Sequence, residues 1–324
     1  MCTAVTYQTR DFYFGRTLDN DTAYSLNVTV TPRNFPLPFR HGETLSRHYA
    51  ILGMAHIAEG YPLYFDAVNE KGLAMAALNF PGYAHYNTVL PDRNNIAVFE
   101  FLPCILGRCA SVAEARCLLE DLNLTDTAFR EDLPPTPLHW LLADRHEVLT
   151  IESLRDGLKV YPNPVGVLTN NPPFPDQLLR LTDFLSLTPE EPINRFSDTL
   201  DLKPYSRGMG AMGLPGDLSS PSRFVRAAFT KLNSCSGISE AESVNQFFHI
   251  MSSVEQVRGC CRLDGGKFEL TQYTSCYNTD KGICYYRTYP NHQINAVALR
   301  HTLAEKQELI CYPLIAEEKI RMQN

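Results

Sequence analysis

The sequence lacks several patterns that mark common classes of protein. It has ten cysteines but no Cys-x-x-Cys pair. Zinc sites normally use such closely spaced ligands, so we expect no structural metal. It also has no long basic run, and its net charge of −7 argues against nucleic-acid binding. No uninterrupted apolar stretch approaches the roughly 20 residues that span a bilayer.

The start of the chain also lacks the features of a targeting signal. A secretory signal contains an apolar stretch of about 7–15 residues, whereas Gln8, Arg10 and Asp11 interrupt this sequence early. We therefore expect a soluble, cytoplasmic protein. With 324 residues and no convincing linker, the chain is expected to form a single domain over residues 1–324.

What the sequence does have is a cysteine in second position. Removal of Met1, which a small residue such as Cys2 permits, would give one residue both a thiol and a free α-amine. Their reference pKa values are about 8.5 and about 7.7–8.0, so the amine can accept the thiol proton near neutral pH. One residue could then supply nucleophile and base. Considered alone, Cys2 is better explained by chance, since the chain has ten cysteines.

The residues that follow favour the catalytic interpretation. Residues 2–9 are rich in β-branched and aromatic side chains, and residues 12–17 predict a second strand. A hairpin of these strands would bring Arg16 and Asp19 near Cys2. A guanidinium beside the sulfur favours thiolate, and a carboxylate could bind the new amine or hold the arginine. The alternative is an ordinary surface ion pair at a strand end.

The wider pattern alternates between blocks of strands and blocks of helices. Ser-x-x-Glu capping boxes at Ser111 and Ser239 predict two helix starts. Such an order favours an α+β layered sandwich over a doubly wound parallel sheet. The other predicted strands are 49–55, 63–68, 73–78, 138–144, 148–152, 158–161, 165–169, 270–277, 283–289 and 293–299, and the predicted helices are 96–122, 176–186, 221–232 and 240–254.

The remaining cysteines are predicted to be reduced and structural. Cys104, Cys109 and Cys117 stand among aliphatic residues, where a free cysteine behaves as a small core side chain. The adjacent Cys260 and Cys261 are poorly placed to bridge each other.

Nine ordered segments together resemble the choloylglycine hydrolase (bile salt hydrolase) and penicillin V acylase family of N-terminal nucleophile hydrolases. The likeness covers nearly the whole chain. It implies a four-layer αββα sandwich of two antiparallel sheets, a mature chain beginning at Cys2, and often a homotetramer. The segments are Met1-Cys2-Thr3, Gly15-Arg16-x-x-Asp19, Asn69-Glu70-Lys71-Gly72-Leu73, Leu78-Asn79-Phe80-Pro81-Gly82, Leu138-His139-Trp140, 166–172, 213–217, Ser222-Arg223-Phe224 and 270–276.

The same resemblance implies a catalytic set. Cys2 matches the nucleophile and proton shuttle, and Arg16 and Asp19 match residues beside it. Asn170 matches an asparagine whose side-chain amide binds the oxyanion, and Asn79 a position whose backbone amide completes that hole. Without the family, Asn79 and Asn170 would be read as turn residues.

A second arginine completes the implied set. Arg223 matches an arginine near the sulfur, although its position near a helix start would otherwise suggest a solvated charge. The implied reaction is acyl transfer through a thioester, with no metal or organic cofactor. Together the residues predict an amide hydrolase.

The resemblance also bears on the substrate. Asn79 is similar to the bile salt hydrolase branch, whereas penicillin V acylases tend to have tyrosine there, so conjugated bile salts are expected. A Ser206-Arg207 sequence resembles forms that favour taurine conjugates. Arg207 could pair with a sulfonate or carboxylate, although an exposed loop arginine is the default interpretation. Six apolar residues could line the substrate pocket or belong to the core: Tyr24, Ile57, Phe65, Phe80, Phe101 and Leu138.

Three alternatives remain open at this point. An acylase acting on phenoxyacetyl penicillin or on an N-acyl homoserine lactone would share the catalytic set and differ in pocket shape. A non-enzymatic binding protein would predict no loss on changing Cys2. A papain-like hydrolase is disfavoured, because no other cysteine has a Cys-Gly-x-Cys context.

Overall fold

A computed structural model describes residues 1–22 and 24–324. The strands are β1 (Cys2–Gln8), β2 (Phe12–Asn20), β3 (Leu26–Thr31), β4 (Ile51–Ala58), β5 (Tyr61–Asn69), β6 (Ala74–Asn79), β7 (Asn94–Ala97), β8 (Leu122–Thr125), β9 (Leu138–Ala143), β10 (Val148–Leu154), β11 (Gly157–Pro162), β12 (Val167–Leu168), β13 (Leu270–Asn278), β14 (Ile283–Thr288), β15 (Asn291–Ala298) and β16 (Ile310–Pro313). The helices are α1 (Phe101–Arg108), α2 (Val112–Leu119), α3 (Phe174–Arg180), α4 (Ser220–Asn233), α5 (Glu240–Ser252) and α6 (His301–Ala304).

Two antiparallel sheets form the centre of the molecule. One has six strands in the order β12-β1-β2-β13-β14-β15, and the other has eight in the order β11-β10-β9-β6-β5-β4-β3-β16. A separate parallel pair, β7 and β8, flanks the helices α1 and α2. Neighbouring strands in the two large sheets are antiparallel, which permits short hairpin connections such as that between β1 and β2.

The two sheets face each other and each carries helices on its outer side. Side chains of both sheets share one apolar cluster, including Phe14, Leu52 and Leu141, and Phe224 of α4 and Phe247 of α5 belong to it as well. A second cluster packs α1 and α2 against the eight-stranded sheet. The layers are therefore helix, sheet, sheet and helix, so the predicted αββα sandwich is confirmed.

Most predicted elements are present with boundaries shifted by a few residues, but the helix predicted over 96–122 is divided into α1 and α2, and its two ends belong to β7 and β8. The Ser239 capping box is complete, with its hydroxyl accepting from Glu242 N at 3.2 Å. At Ser111 the hydroxyl caps α2, but the Glu114 carboxylate binds Ala110 N at 2.7 Å instead of closing the box. Cys117 is exposed, so its predicted place in the core is wrong; it lies on the outward side of α2.

The strands that the sequence pattern missed are mostly at the margins of the sheets. The eight-stranded sheet ends in β3 and β16, which pair Ile310 with Val30 across almost the whole chain. Such long-range pairing leaves little local signal.

Within the described residues, no helix combines the length and the apolar character needed to cross a bilayer.

A glycine allows the second strand to approach its neighbour closely. A Cβ atom on Gly15 would lie 2.0 Å from the carbonyl oxygen of Ser275 on β13, so any side chain at this position would clash with the β13 backbone. Gly15 is therefore required for β2 to lie flat against β13. The next residue, Arg16, is fixed in position as a consequence.

Lys231 generates a prediction about the pH dependence of stability. Its ammonium donates to Thr6 Oγ1 at 3.1 Å and to Val165 O, and burial lowers the pKa of Lys231 to about 8. In the unfolded chain the pKa is about 10.4. Between these values the unfolded state binds more protons, so the stability contributed by this group rises with pH and is lost as pH falls through about 8.

We expect the wild type to gain stability relative to Lys231→Met as pH rises through this range. Urea unfolding at several pH values measures the difference. The exposed Lys203, changed to Met, is the control and should give a curve parallel to that of the wild type. Parallel curves for Lys231→Met as well would contradict the prediction.

Candidate active site

Cys2 begins the first strand and faces the interior of the sandwich. Its side chain is 3% exposed. In the β1–β2 pair Cys2 lies opposite Leu18 and Ala4 lies opposite Arg16, so Cys2 and Arg16 lie on one face of the sheet. Arg16 reaches carbonyls of the other sheet, so this face points between the two sheets.

Arg16 is fully buried and its hydrogen bonds go to neutral carbonyl groups. Nε donates to Thr17 O at 3.1 Å, and Nη1 donates to Phe65 O at 3.4 Å and to Ala77 O. Nη2 has no hydrogen-bond partner among the described residues. Burial disfavours the charge, but the nearby anionic forms of Cys2 and other groups raise the pKa of Arg16 above its usual value.

Asp19 lies on the opposite face of β2, towards the helices. Its carboxylate is 2% exposed and accepts from Thr271 Oγ1 at 2.6 Å and Thr17 Oγ1 at 3.2 Å. Its Oδ2 atom is 4.0 Å from Nη1 of Arg223. The hairpin thus brings Arg16 and Asp19 to opposite sides of the chain start.

Arg223 stands in the first turns of α4 and is also fully buried. Nη1 donates to Cys2 O and to Thr3 Oγ1, both at 2.6 Å, and Nη2 donates to Asn170 Oδ1 at 2.8 Å. These contacts hold the backbone of β1. Burial lowers the pKa of Arg223, an effect that the charge of Asp19 opposes.

Asn170 joins the chain start to the other sheet. Its Oδ1 atom accepts from Cys2 N at 2.8 Å and from Arg223, which occupies both lone pairs. Its Nδ2 atom donates to Asn79 O at 2.7 Å. An amide nitrogen carries two hydrogens, so one remains for another acceptor. Asn79 itself is exposed at the end of β6.

Met1 occupies the position before the candidate nucleophile. Its ammonium donates to Asp19 O at 2.7 Å and forms an ion pair with Glu269. Its carbonyl accepts from Asp19 N at 2.9 Å. With Met1 in place, the nitrogen of Cys2 is a peptide nitrogen.

A cavity of about 220 Å³ adjoins the carbonyls that bind Arg16. Of the six apolar residues considered from the sequence, Tyr24, Phe65 and Leu138 line it. Phe80 and Phe101 are instead buried against His139 and Trp140, and Ile57 packs in the cluster under α1. The lining residues are Tyr24, His56, Leu63, Tyr64, Phe65, Ala77, Val98, Phe99, Phe129, Leu133, Pro134, Pro135, Thr136 and Leu138.

Arg207 lies apart from this cavity in an exposed segment before α4.

Asn170 is also held by two residues that the sequence pattern did not reveal. Ser220 Oγ accepts from Asn170 N at 2.8 Å, and the buried Gln177 donates to the carbonyls of Asn170 and Pro172. In the sequence, the only sign of these two residues is a polar side chain in or next to a predicted helix.

The described residues contain no group of three or more His, Cys, Asp or Glu side chains arranged to hold a metal ion. Around Cys2, the buried Arg16 and Arg223 supply positive charge and the Asn170 side chain supplies a hydrogen-bond donor. Such a setting suits attack by sulfur on a carbonyl carbon, since it stabilises negative charge on the sulfur and on a tetrahedral oxygen.

Comparisons with known proteins bear on this arrangement. A sequence profile of the family described as linear amide C–N hydrolases, choloylglycine hydrolase family, matches residues 2–312. The chain is 55% identical over 317 residues to a bile salt hydrolase/transferase of Lactiplantibacillus plantarum, covering 98% of each protein.

Two solved structures share the fold. The crystal structure of the C2A mutant of conjugated bile acid hydrolase from Clostridium perfringens is 35% identical, with a TM-score of 0.92 and complete coverage of both chains. Penicillin V acylase from Agrobacterium tumefaciens is 18% identical, with a TM-score of 0.74, and covers 95% of this chain and 90% of its own. At that identity the acylase supports the fold alone.

Gln177 allows a test of how Asn170 is held. Gln177→Leu removes the donor to two carbonyls and the acceptor of Thr169 Oγ1 at 2.7 Å. We expect the free energy of unfolding to fall by about 1–3 kcal/mol, because the Asn170 carbonyl is left buried without its donor, while the part-buried Pro172 carbonyl and the Thr169 hydroxyl each lose one hydrogen bond. Urea denaturation measures this change.

Gln246→Leu is the matched control, because Gln246 on α5 makes a single hydrogen bond, at 3.2 Å to Ser234 Oγ. Its expected cost is within about 0.5 kcal/mol. Similar costs for the two variants would show that the Gln177 hydrogen bonds do not hold this segment.

Proposed function

The chain belongs to the choloylglycine hydrolase family of linear amide C–N hydrolases, and on that premise we propose that it is a bile salt hydrolase. In this proposal it cleaves the amide that joins a bile acid to glycine or taurine. The 55% identity to a named bile salt hydrolase/transferase over nearly the full length of both proteins supports the substrate. The placement of Cys2 and Arg16 on one face of the sheet, with Arg16 bound to the carbonyls of two residues that line the apolar cavity, carries the chemistry.

The proposal requires removal of Met1, which frees the α-amine of Cys2. The contacts of Cys2 N with Asn170 and of Cys2 O with Arg223 do not involve Met1, so they can persist after processing. The new amine would then sit beside Asn170 Oδ1. From there it can take the thiol proton, because the two groups belong to one residue.

Arg16 and Arg223 have different tasks in this scheme. Arg16 shares a face with the thiol, and its Nη2 donor has no partner in the part of the chain that the structure describes, so it stabilises the thiolate. Arg223 holds the backbone of β1, and Asp19 compensates its charge at 4.0 Å. Asp19 also fixes the strand register through Thr17 and Thr271.

Asn170 and Asn79 are proposed to form the oxyanion hole. The second hydrogen of Asn170 Nδ2 is available because the first is donated to Asn79 O. The backbone amide of Asn79 would be the second donor. Loss of one such donor commonly lowers the rate by about 10²–10³-fold.

The reaction then follows as two acyl transfers. The thiolate adds to the amide carbonyl, and the oxyanion is held while the C–N bond breaks. The α-ammonium gives its proton to the departing amine of glycine or taurine. Water, activated by the amine, cleaves the thioester and restores the thiol. No step requires a metal or an organic cofactor.

The lining of the cavity suits an apolar acyl group. Aromatic and aliphatic side chains dominate its wall, and Pro134 and Pro135 stiffen one side. A steroid would bury its apolar surface there. An acylase acting on penicillin V or on an N-acyl homoserine lactone is the alternative, because it would use the same catalytic set.

We also propose a homotetramer in the cytoplasm of a bacterium. The segment between α3 and α4 supports an assembly, because it exposes several large apolar side chains. The most exposed are Leu185, Ile193, Phe196, Tyr205 and Met212. Subunit contacts would remove them from water.

The mechanism predicts the mass and the activity of the purified protein. We expect an intact mass without Met1 and hydrolysis of both glycocholate and taurocholate. Cys2→Ser should lose activity by roughly 10³-fold or more, because a hydroxyl is a far weaker nucleophile at neutral pH. Mass spectrometry and amino-acid release provide the two measurements.

Cys260→Ser is the matched control, because Cys260 is an exposed cysteine. It should retain wild-type activity. An active form that keeps Met1 would overturn the mechanism. Cleavage of penicillin V without cleavage of either bile salt would overturn the substrate.

Arg207 is proposed to favour taurine conjugates by pairing with the sulfonate. Because the residue is exposed, Arg207→Ala should raise KM for taurocholate by only about two- to fivefold and leave kcat unchanged. The exposed Arg195 in the same segment, changed to Ala, is the control. An equal effect of Arg207→Ala on glycocholate and taurocholate would contradict a role in this preference.

A further inference from the structure

A buried carboxylate that the proposed reaction does not use lies close to Arg16. Asp66 on β5 has no exposed surface and belongs to the eight-stranded sheet. The carbonyl oxygen of the preceding residue, Phe65, accepts a hydrogen bond from Arg16 Nη1 at 3.4 Å. Asp66 is therefore next to the segment that holds the guanidinium.

Three hydroxyl groups from the facing sheet converge on this carboxylate. Ser275 Oγ donates to Oδ2 at 2.7 Å and Tyr277 OH at 2.8 Å, while Tyr273 OH donates to Oδ1. All three donors come from β13. A carboxylate that accepts three hydrogen bonds is stabilised in its ionised form.

The same hydroxyls connect Asp66 to the site. Ser275 Oγ accepts from the backbone N of Arg16 at 3.2 Å while it donates to Asp66. One hydroxyl therefore separates the carboxylate from the backbone of Arg16. The charge of Asp66 raises the pKa of Arg16, and the charge of Cys2 does so more strongly.

Arg16 needs such a counter-charge because its direct partners are neutral. Carbonyl dipoles solvate a guanidinium but do not cancel its charge, and an uncompensated buried charge is costly. Asp19 is largely committed to Arg223 and to two threonine hydroxyls. Asp66 is then the carboxylate available to balance Arg16 while the thiol is protonated.

Asp66 is not explained by stability alone. Burial raises its pKa above the ordinary value, although the hydroxyls and Arg16 oppose this effect. The stability that this group contributes is present below its unfolded pKa and is lost as pH rises through the folded pKa. Ionisation of the Asp66 carboxyl therefore costs stability. A group retained at a cost points to function.

We propose that Asp66 is a positioning residue of the reaction, a buried counter-charge that balances Arg16 and thereby sets how readily the Cys2 thiol loses its proton. The proposal rests on the proposed function, in which Cys2 is the nucleophile. Without a counter-charge, Arg16 would make the thiolate very stable but weakly nucleophilic, since nucleophilicity falls with basicity. The negative charge of Asp66 reduces the positive electrostatic potential that Arg16 produces at the sulfur.

Other charged and titratable groups also face these residues. Their contributions are common to the wild type and to a variant at position 66, so a single substitution isolates Asp66. Facing Asp66 are Arg16 from β2, Tyr273 and Tyr277 from β13 and Cys284 from β14; near Cys2 are Arg16 from β2 and Tyr273 from β13 on its own face of the sheet, and Asp19 from β2 and Arg223 from α4 on the opposite face.

The test compares Asp66→Asn with the wild type, both lacking Met1. Asparagine has the same shape but no charge. The rate of Cys2 alkylation by iodoacetamide is followed across pH by mass spectrometry of the N-terminal peptide. We expect the midpoint to fall by about 1 pH unit on loss of the negative charge. Below the midpoint the variant should react about threefold faster, because a tenfold larger thiolate fraction is partly offset by the lower nucleophilicity of each thiolate.

In Asp66→Asn, the acid side of the pH profile of kcat/KM for glycocholate should also move to lower pH. Val68→Ala is the matched control, because Val68 is buried on the same face of β5 and carries no charge. It should lower the melting temperature and leave the alkylation midpoint unchanged. An unchanged midpoint in Asp66→Asn would overturn the proposal. Asp66 would then serve only to join the two sheets through its hydrogen bonds to β13.

A second variant covers the case in which Asp66→Asn does not fold. Tyr277→Phe keeps the carboxylate but removes one of its donors, which favours its protonation. The midpoint should move in the same direction by a smaller amount, and no movement would contradict the proposal. If instead Cys2→Ser keeps activity, the proposed function fails, whatever the result at Asp66.

Discussion

The side-chain amide of Asn170 is the interaction on which the geometry of this site depends. Its oxygen accepts from Cys2 N and from Arg223, and its nitrogen donates to Asn79 O. These contacts join β1, α4 and β6, which belong to three of the four layers. Because both lone pairs are occupied, the orientation of the amide is determined, and its remaining hydrogen points to a defined place.

The charges around Cys2 are separated by the sheet itself. Alternation along β2 sends Arg16 to the interior between the sheets and Asp19 towards α4, where Arg223 lies. Arg223 can therefore be compensated by Asp19 without weakening the field of Arg16 at the sulfur. The same alternation places Asp66 of the other sheet on the interior side, with Arg16. Strand periodicity thus sets the electrostatics of the site.

The sequence could predict those features whose causes are local. The hairpin of β1 and β2 follows from residue type and spacing, as does the Ser239 capping box. Family resemblance, rather than pattern, identified Asn170 and Arg223. Neither Gln177 nor Asp66 could be found in this way. The partners of Gln177 are five to eight residues earlier, in an irregular segment whose backbone path has no periodic pattern, and the partners of Asp66 are set by tertiary packing. Asp66 bonds to side chains more than two hundred residues away, and no local pattern encodes that contact.

The chain start is held by the fold on both sides of the bond that processing would cut. Before the bond, Met1 pairs with Asp19 and Glu269. After it, Cys2 is held by Asn170 and Arg223. Since the second set of contacts is independent of the first, Cys2, the proposed nucleophile, would not need to move on removal of Met1. Preorganisation of this kind avoids an ordering cost in each turnover. The fold, rather than the processing event, therefore assembles the site.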